Sequence, residues 1–259
     1  MNNIPIYLVS LEQDTKRREE LKQRFKNLYN KFIHIKATDG RDLSAKEYYD
    51  KTIDYFTKTN KTMSPPELGC TLSHINVLEE FMKTDSSYAL ILEDDAIGND
   101  EGIEKIFKIS QKLDQNSLLI CGGQDGLGGK KYQFGKKISL DDSLFEVCKF
   151  SYRHMLRTCC YVVTKQSAKE ILEYHKQCLT LADKWDEFFK NSDTKIYYAN
   201  ILAHPKDLHH SHIEAYRARF KAKSFIEKVF STDFFKRVAK KSYNEFYSKL
   251  LKIQGKSNL

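Results

Sequence analysis

The chain has no run of eighteen or more apolar residues, so no membrane-spanning helix is expected from it. Its opening, MNNIPIYLVS, passes directly into a strand-like segment without a charged leader and apolar core, and no secretory signal is expected there. Six cysteines (Cys70, Cys121, Cys148, Cys159, Cys160 and Cys178) lie scattered in apolar segments with no C-x-x-C pair. That spacing argues against a zinc site or a disulfide framework, and reduced thiols in a cytosolic compartment are the expectation. The glycines from Gly122 to Gly129 lack the Gly-Lys-Ser/Thr ending of a P-loop and match no dinucleotide fingerprint. No nucleic-acid motif interrupts the chain, so a nucleic-acid partner is not expected.

What is present suits a folded domain. The 259 residues are 41% hydrophobic and 30% charged, enough for a sizeable core. The formal charge of +8 is unevenly placed. Between Arg217 and Lys256, twelve Lys and Arg face three acids, Glu227, Asp233 and Glu245, and the rest of the chain is close to neutral. A basic segment with Ile226, Val229, Phe230, Phe234 and Val238 at helical spacing suits either an anionic membrane surface or the domain's own core. Residues 1–213 and 214–259 are therefore expected to form a folded domain and a basic amphipathic helical tail.

The stretch that organises the chain is Tyr88 to Ala96, YALILEDDA. An apolar strand runs into Glu93, Asp94 and Asp95, and three like charges at a buried strand end are costly unless a positive partner meets them. A divalent cation, Mn²⁺ or Mg²⁺, is a natural partner because hard ions take carboxylate oxygens and bridge to phosphates. Ligands of open α/β sheets bind at the carboxyl ends of strands, where these acids fall. A solvated acidic turn is the alternative.

Around this stretch the pattern is that of an α/β domain. Ile4–Leu11 reads as a strand, Asp14 can cap a helix from Thr15 to about Leu28, and Phe32–Ala37 reads as a second strand ending at Thr38-Asp39-Gly40. This βαβ opening predicts a parallel sheet. Ser44-x-x-Glu47 and Ser64-x-x-Glu67 have the form of capping boxes. The first is expected to start a short helix followed by a polar loop over Thr52–Met63, and the second a helix carrying Ser73 and His74. Further on, Ile103–Leu113 and Lys165–Gln177 read as helices, and Leu118–Cys121, Thr158–Val163 and Lys195–Ala199 as strands. Trp185 lies between Asp183 and Asp186, an arrangement that suits a sugar ring or core packing. His204, His209, His210 and His212 cluster loosely, with weak metal-site spacing.

Taken together, IYLVSLEQDTKRREELKQRF, FIHIKATDG, ELGCTLSHINVLEEF, ALILEDDA, RTCCYVVTKQSAKEIL and ADKW resemble glycosyltransferase family 25 from about Ile4 to Ile213. The ordered pair GC-x-x-SH and LEDD is more specific than either alone. The resemblance implies a GT-A-like fold: a mainly parallel nucleotide-binding sheet flanked by helices; the helical basic C-terminal segment, read from charge and periodicity, lies outside it. The resemblance also implies metal-dependent transfer of a hexose, typically galactose, from a UDP-sugar to an acceptor hydroxyl with inversion.

By this resemblance Asp95, with Asp94, would hold the metal, and His209 of the loose histidine cluster is a further candidate ligand. Val9, Ser10, Arg17, Asp39, Ser73, His74, Glu93 and Asp94 would meet the donor. An acid near Trp185, either Asp183 or Asp186, would serve as base. Ser10-Leu11-Glu12 stands where many members read Asn-Leu-Asp, and Cys159-Cys160 where small residues are usual, which would alter the acceptor side. The expected acceptor is a lipooligosaccharide or lipopolysaccharide glycan on lipid, and the expected location the inner face of the cytoplasmic membrane. A metal-dependent phosphohydrolase would also want clustered acids and histidines, and a non-catalytic membrane or glycan binding module would use the tail.

Overall fold

Alternation along the central strands divides the interior into two apolar layers on opposite faces of one sheet. The computed structural model describes residues 4–139, 141, 143–205, 213 and 232–259, with the backbone alone at 232–236 and 238. Among the described residues nine strands form the sheet: β1 Ile6–Ser10, β2 Phe32–Lys36, β3 Tyr88–Glu93, β4 Ser117–Gly122, β5 Phe134–Lys137, β6 Leu144–Val147, β7 Cys160–Thr164, β8 Lys195–Leu202 and β9 Ser257–Asn258. Their order is β2-β1-β3-β7-β4-β8-β6-β5-β9. The βαβ opening gives the parallel set β2-β1-β3, and β4 and β8 are also parallel. Antiparallel pairing enters at β7, between β3 and β4, and again at β6, β5 and β9.

The helices are α1 Thr15–Arg24, α2 Ala45–Thr59, α3 Pro65–Met82, α4 Asp100–Ser110, α5 Lys165–Gln177, α6 Trp185–Phe188 and α7 Thr232–Ile253. On one face Tyr7, Val9, Ala89, Ile91, Leu118 and Ile120 meet Val77 and Phe81 of α3, Ala168 and Ile171 of α5, and Trp185 of α6. On the other, Ile6, Leu8, Leu90, Leu92 and Leu119 meet Leu21 of α1 and Ile103 and Ile106 of α4. Consecutive residues of β3 thus serve opposite layers, which is why the strand reads as an unbroken apolar run. Each fully buried aliphatic side chain contributes about 1.5–3 kcal/mol.

Both capping boxes close. The hydroxyl of Ser44 accepts from the Glu47 amide while the Glu47 carboxylate accepts from the Ser44 amide, and Ser64 with Glu67 repeats the pattern at α3. The loop expected over Thr52–Met63 is largely helix, because α2 runs on to Thr59 before Asn60 caps it in the left-handed region. Its polar look misleads. Thr52, Thr57 and Thr59 return their hydroxyls to carbonyls four residues back, and Tyr55 packs with Met63 and Leu68 in a small core of its own.

The loop after β2 is seated on α3 by direct backbone approach. A Cβ on Gly69 would lie 2.5 Å from the Thr38 carbonyl oxygen, and one on Gly40 would lie 1.8 Å from that of Pro65. Ser73 completes the joint: its hydroxyl accepts from the Thr38 amide at 2.8 Å and donates to the Gly69 carbonyl at 2.7 Å. The GC-x-x-SH block therefore fixes the β2 exit with its Gly and Ser, and leaves Cys70 and His74 to line a cavity.

At the far edge, β9 pairs with β5, and α7 lays Asn244, Ser248 and Leu251 inward while Tyr247 stacks on Phe150 at 5.2 Å. The boundary drawn near residue 213 thus separates segments that share one sheet. Ile226, Val229 and Phe230 lie outside the described residues, as do the side chains of Phe234 and Val238. No helix among the described residues is long and apolar enough to cross a membrane.

Two buried histidines make stability depend on pH. Burial pushes His175, packed 5.0 Å from the Phe188 ring, down to about 4, with His74 adding to the shift. Burial likewise pushes His154 down to about 4, with Arg153 and Lys240 adding. The unfolded chain takes up these protons near pH 6.5. Between pH 6.5 and 4 it therefore binds more protons at these sites than the folded chain. Their contribution is full above pH 6.5 and is lost as pH falls toward 4, by at most about 1.4 kcal/mol per pH unit for each histidine. Melting curves at pH 7 and 4.5 should show a smaller acid-induced drop in Tm for His175→Gln than for the unsubstituted protein. Equal drops would show that His175 is not held neutral.

Candidate active site

Because β1, β2 and β3 run parallel, their carboxyl ends open on the same side. Antiparallel β7 begins where they end, and the exit of β8 lies nearby. Side chains from these ends, from α1 and α3, and from the segment before α6 line a cavity of about 260 Å³. Val9, Ser10, Arg17, Asp39, Ser73, His74, Glu93, Asp94, Asp95 and Asp183 all reach it. Asp186 is not among its lining residues. His209 lies outside the described residues.

The three consecutive acids meet three different environments. Glu93 accepts from the Thr158 hydroxyl at 2.5 Å and faces His74 Nε2 at 3.1 Å. Burial works against its charge, but these bonds and the His74 and His204 charges outweigh it and hold the carboxyl below its ordinary value. His74 is itself fixed, with Nδ1 2.8 Å from the buried Tyr161 hydroxyl. Since Glu93 can only accept, Nε2 carries a proton, and Tyr161 donates to Nδ1 when the ring is neutral.

Asp94 is a brace. Its oxygens accept from the Ser10 hydroxyl at 2.6 Å and from the Arg17 guanidinium at 3.0 Å, tying the end of β3 to β1 and α1. Burial, with some help from Asp95, raises its carboxyl to about 6 against the pull of Ser10 and Arg17. Both oxygens have protein partners, so Asp94 is less suited to holding a cation than its neighbour.

Asp95 is different. Its Oδ2 lies 3.2 Å from His204 Nε2, while its Oδ1 is buried without a hydrogen-bond partner among the described residues. Burial opposes protonation of His204, but Asp95 outweighs it and lifts the imidazole above its ordinary value. A buried carboxylate oxygen without a donor is the feature a hard cation would satisfy, so a divalent ion fits at Asp95 with His204 beside it. Among the described residues Cys70, His74 and Glu93 also bring ligand atoms within 4.8 Å of one another. Burial holds the Cys70 thiol well above its usual range, and Glu93 already bonds His74 and Thr158, so this group suits a hard ion less well.

Elsewhere the cavity wall is held from behind. Arg41 and Gln13 bond the Asp39 carboxylate and lower it to about 2. The Asp183 Oδ2 accepts from the Arg157 backbone amide at 3.0 Å. Trp185 is core: 1% exposed, it packs edge-on against Tyr161 at 5.5 Å. Of the two roles its position suits, sugar ring or core packing, the structure shows core packing, because α6 turns the ring under the sheet. Cys159 and Cys160 belong to the layer beneath α1 and α4 and do not line the cavity. Gly122 closes β4 onto β8, where a Cβ would lie 1.7 Å from the Leu202 carbonyl oxygen. Sequence reasoning missed Arg157, Thr158 and Tyr161 as parts of the site. Their one signal is position, at the start of an apolar strand, which points to a ligand only once that strand is known to run antiparallel.

Comparison with known proteins bears on what this cavity serves. Residues 3–185 match the family model described as "Glycosyltransferase family 25 (LPS biosynthesis protein)". A glycosyltransferase 25 family member from Anopheles gambiae is 32% identical over 176 residues, covering 64% of this chain and 28% of the relative. Human procollagen galactosyltransferase 2 is 25% identical over 178 residues, covering 64% of this chain and 27% of that protein. The aligned region is thus under a third of the length of these relatives. Among solved structures, apo UDP-glucose pyrophosphorylase aligns over 85% of this chain and 99% of its own, with 10% identity and a TM-score of 0.41. With most of its length matched by the family model, and with that model's residues building the strand ends and helices around the cavity, the chain belongs to glycosyltransferase family 25.

Proposed function

We propose that the cavity binds a UDP-sugar and passes its hexose, galactose, to a hydroxyl of a lipid-carried lipooligosaccharide or lipopolysaccharide glycan, with inversion to a β-linkage. The observation that carries this reading is the buried Oδ1 of Asp95, without a hydrogen-bond partner among the described residues, beside His204. The galactosyltransferase name of the human relative supports the sugar, and the family's association with LPS biosynthesis supports the acceptor. Asp95 and His204 would hold Mn²⁺ or Mg²⁺, with His209 a further candidate, and the ion would offset the negative charge that gathers on the departing diphosphate.

The chain's own residues supply the rest. Asp183, oriented by the Arg157 amide, takes the proton of the acceptor hydroxyl as its oxygen bonds to the sugar's C1. The bond from C1 to the diphosphate oxygen breaks at the same time, and its electron pair leaves with UDP. Glu93 and Asp94, each held by two side chains, keep the strand end in place. Ser10, Arg17 and Asp39 line the cavity and would meet the donor.

The reading places the enzyme at the inner face of the cytoplasmic membrane, and α7 supports that placement. Away from the side it packs inward, α7 exposes Phe246, Leu250 and Ile253 at helical spacing, with Phe246 63% and Ile253 83% exposed, while the part-exposed Tyr243 stays against Phe150. Lys249 borders this stripe, and Lys241 and Lys252 are exposed on the same helix, so apolar insertion and attraction to anionic headgroups would act together.

A panel of UDP-sugars with Mn²⁺, assayed with and without glycan acceptors, tests the activity. Acceptor-dependent UDP release is expected, and acceptor-independent release would indicate hydrolysis instead. Asp95→Asn should abolish transfer and weaken UDP binding in Mn²⁺ while leaving Tm within a few degrees. Full activity in that variant, or undiminished activity in EDTA, would remove the metal from the scheme. Asp183→Asn should retain UDP binding and lose about a hundredfold or more in kcat, the scale of a lost general base; unchanged turnover would move the base elsewhere. The paired change Phe246→Glu and Ile253→Glu should preserve the circular dichroism spectrum and abolish co-sedimentation with anionic vesicles. If the unsubstituted protein ignores such vesicles even at low salt, α7 does not dock there.

A further inference from the structure

Two described non-glycine residues adopt left-handed backbone, Asn60 at φ 53° and Arg157 at φ 71°. Asn60 ends α2, a position where asparagine is common. Arg157 ends no helix. It stands just before β7, lines the cavity, and has a bulky side chain in a region such residues rarely enter.

The conformation accomplishes two things. It aims the Arg157 amide at Asp183 Oδ2, 3.0 Å away. It also carries the side chain toward the glycine loop after β4, where Nη1 donates to the Gly123 carbonyl at 2.6 Å and the Asp125 carbonyl at 3.0 Å. Three arginines line the cavity. Arg17 is paired with Asp94 and Arg41 with Asp39, whereas the partners of the Arg157 guanidinium among the described residues are carbonyl oxygens. Carbonyls fix the position of the group without neutralising it. The charge and the remaining donors of its planar fork stay available for an anionic ligand.

We infer that Arg157 binds the diphosphate of the nucleotide donor and stays on it as UDP departs, while its own backbone amide orients the base. This rests on the sugar-transfer reading and adds the group that receives the leaving charge. Guanidinium forks suit phosphate oxygens because paired, charge-assisted hydrogen bonds match their spacing. A single residue would then hold base and leaving group in register: the amide sets Asp183 on one side of the sugar, and the side chain sets the diphosphate on the other.

Arg157→Gly tests this, since glycine takes the left-handed backbone without strain and keeps the amide on Asp183. Calorimetric titration of UDP and of uridine, in Mn²⁺, should show UDP affinity reduced about tenfold or more in the variant and uridine affinity within about twofold of the unsubstituted protein, as loss of a bidentate phosphate contact requires. Arg157→Lys, which retains the charge but not the fork, should fall between. Parallel weakening of both ligands, or of neither, would show that Arg157 only shapes the loop and would overturn the assignment while leaving sugar transfer standing. If the unsubstituted protein binds neither UDP nor uridine, the sugar-transfer reading fails and the assignment with it. Should Arg157→Gly not fold by circular dichroism, Arg157→Gln and Arg157→Lys carry the same comparison, with the same ratio of UDP to uridine affinity deciding it.

Discussion

The carboxylate of Asp94, buried between Ser10 and Arg17, is the joint on which the site depends. An unpaired ion at that depth would cost several kcal/mol, and its two partners offset the cost only while β1, α1 and β3 hold their present positions. The interaction therefore acts as a positional constraint more than as a source of net stability. With Asp94 fixed, its neighbours cannot share its environment. Glu93 turns toward α3 and meets His74, while Asp95 turns toward the exit of β8 and meets His204. Three adjacent residues of one kind thus take three roles, and the difference comes from what each one faces.

Polar residues that look like ligands in the sequence often serve as supports for other residues. Ser73, though it reaches the cavity, spends its hydroxyl on seating the loop after β2. Tyr161 orients His74, which orients Glu93. These chains of support explain why GC-x-x-SH and LEDD occur as a pair: the helix block and the strand block are two sides of the same hydrogen-bonded contact. A short apolar strand between them could not keep an acid in place without the histidine behind it.

Local chemistry was the legible part of the fold. The serine caps of α2 and α3, the alternation that makes β3 and β4 buried on both faces, and the βαβ opening all follow from residues near one another in the chain. The short strands β5, β6 and β9 have too few residues for a period to emerge, and they exist because the neighbouring strands pair with them. The length of α2 was hidden by threonines whose hydroxyls are spent on their own helix. In the site, the acid cluster was visible as a cluster, but which acid braces and which has an oxygen to spare depends on partners 84 and 77 residues away for Asp94. Arg157 was missed for the same reason, since its role is set by Asp183 and the glycine loop, both distant in the chain; for Trp185 the Tyr161 ring it meets decides for core packing between the two roles its position suits.

The place of β7 has a consequence for how the molecule is made. β3 and β4 follow one another in the chain, joined through α4, yet in the sheet they stand one strand-width apart with β7 between them. Until residues 160–164 emerge and insert, the inner edges of both strands present unpaired amides and carbonyls, the kind of open edge that recruits other chains. Assembly of the two halves is thus deferred to a contact spanning about 70 residues of sequence, and slow, non-local closure of this type sets the pace of folding. A nascent chain stalled before Cys160 would carry two sticky edges facing an empty slot, and would need a chaperone or a rapid restart of synthesis to escape aggregation.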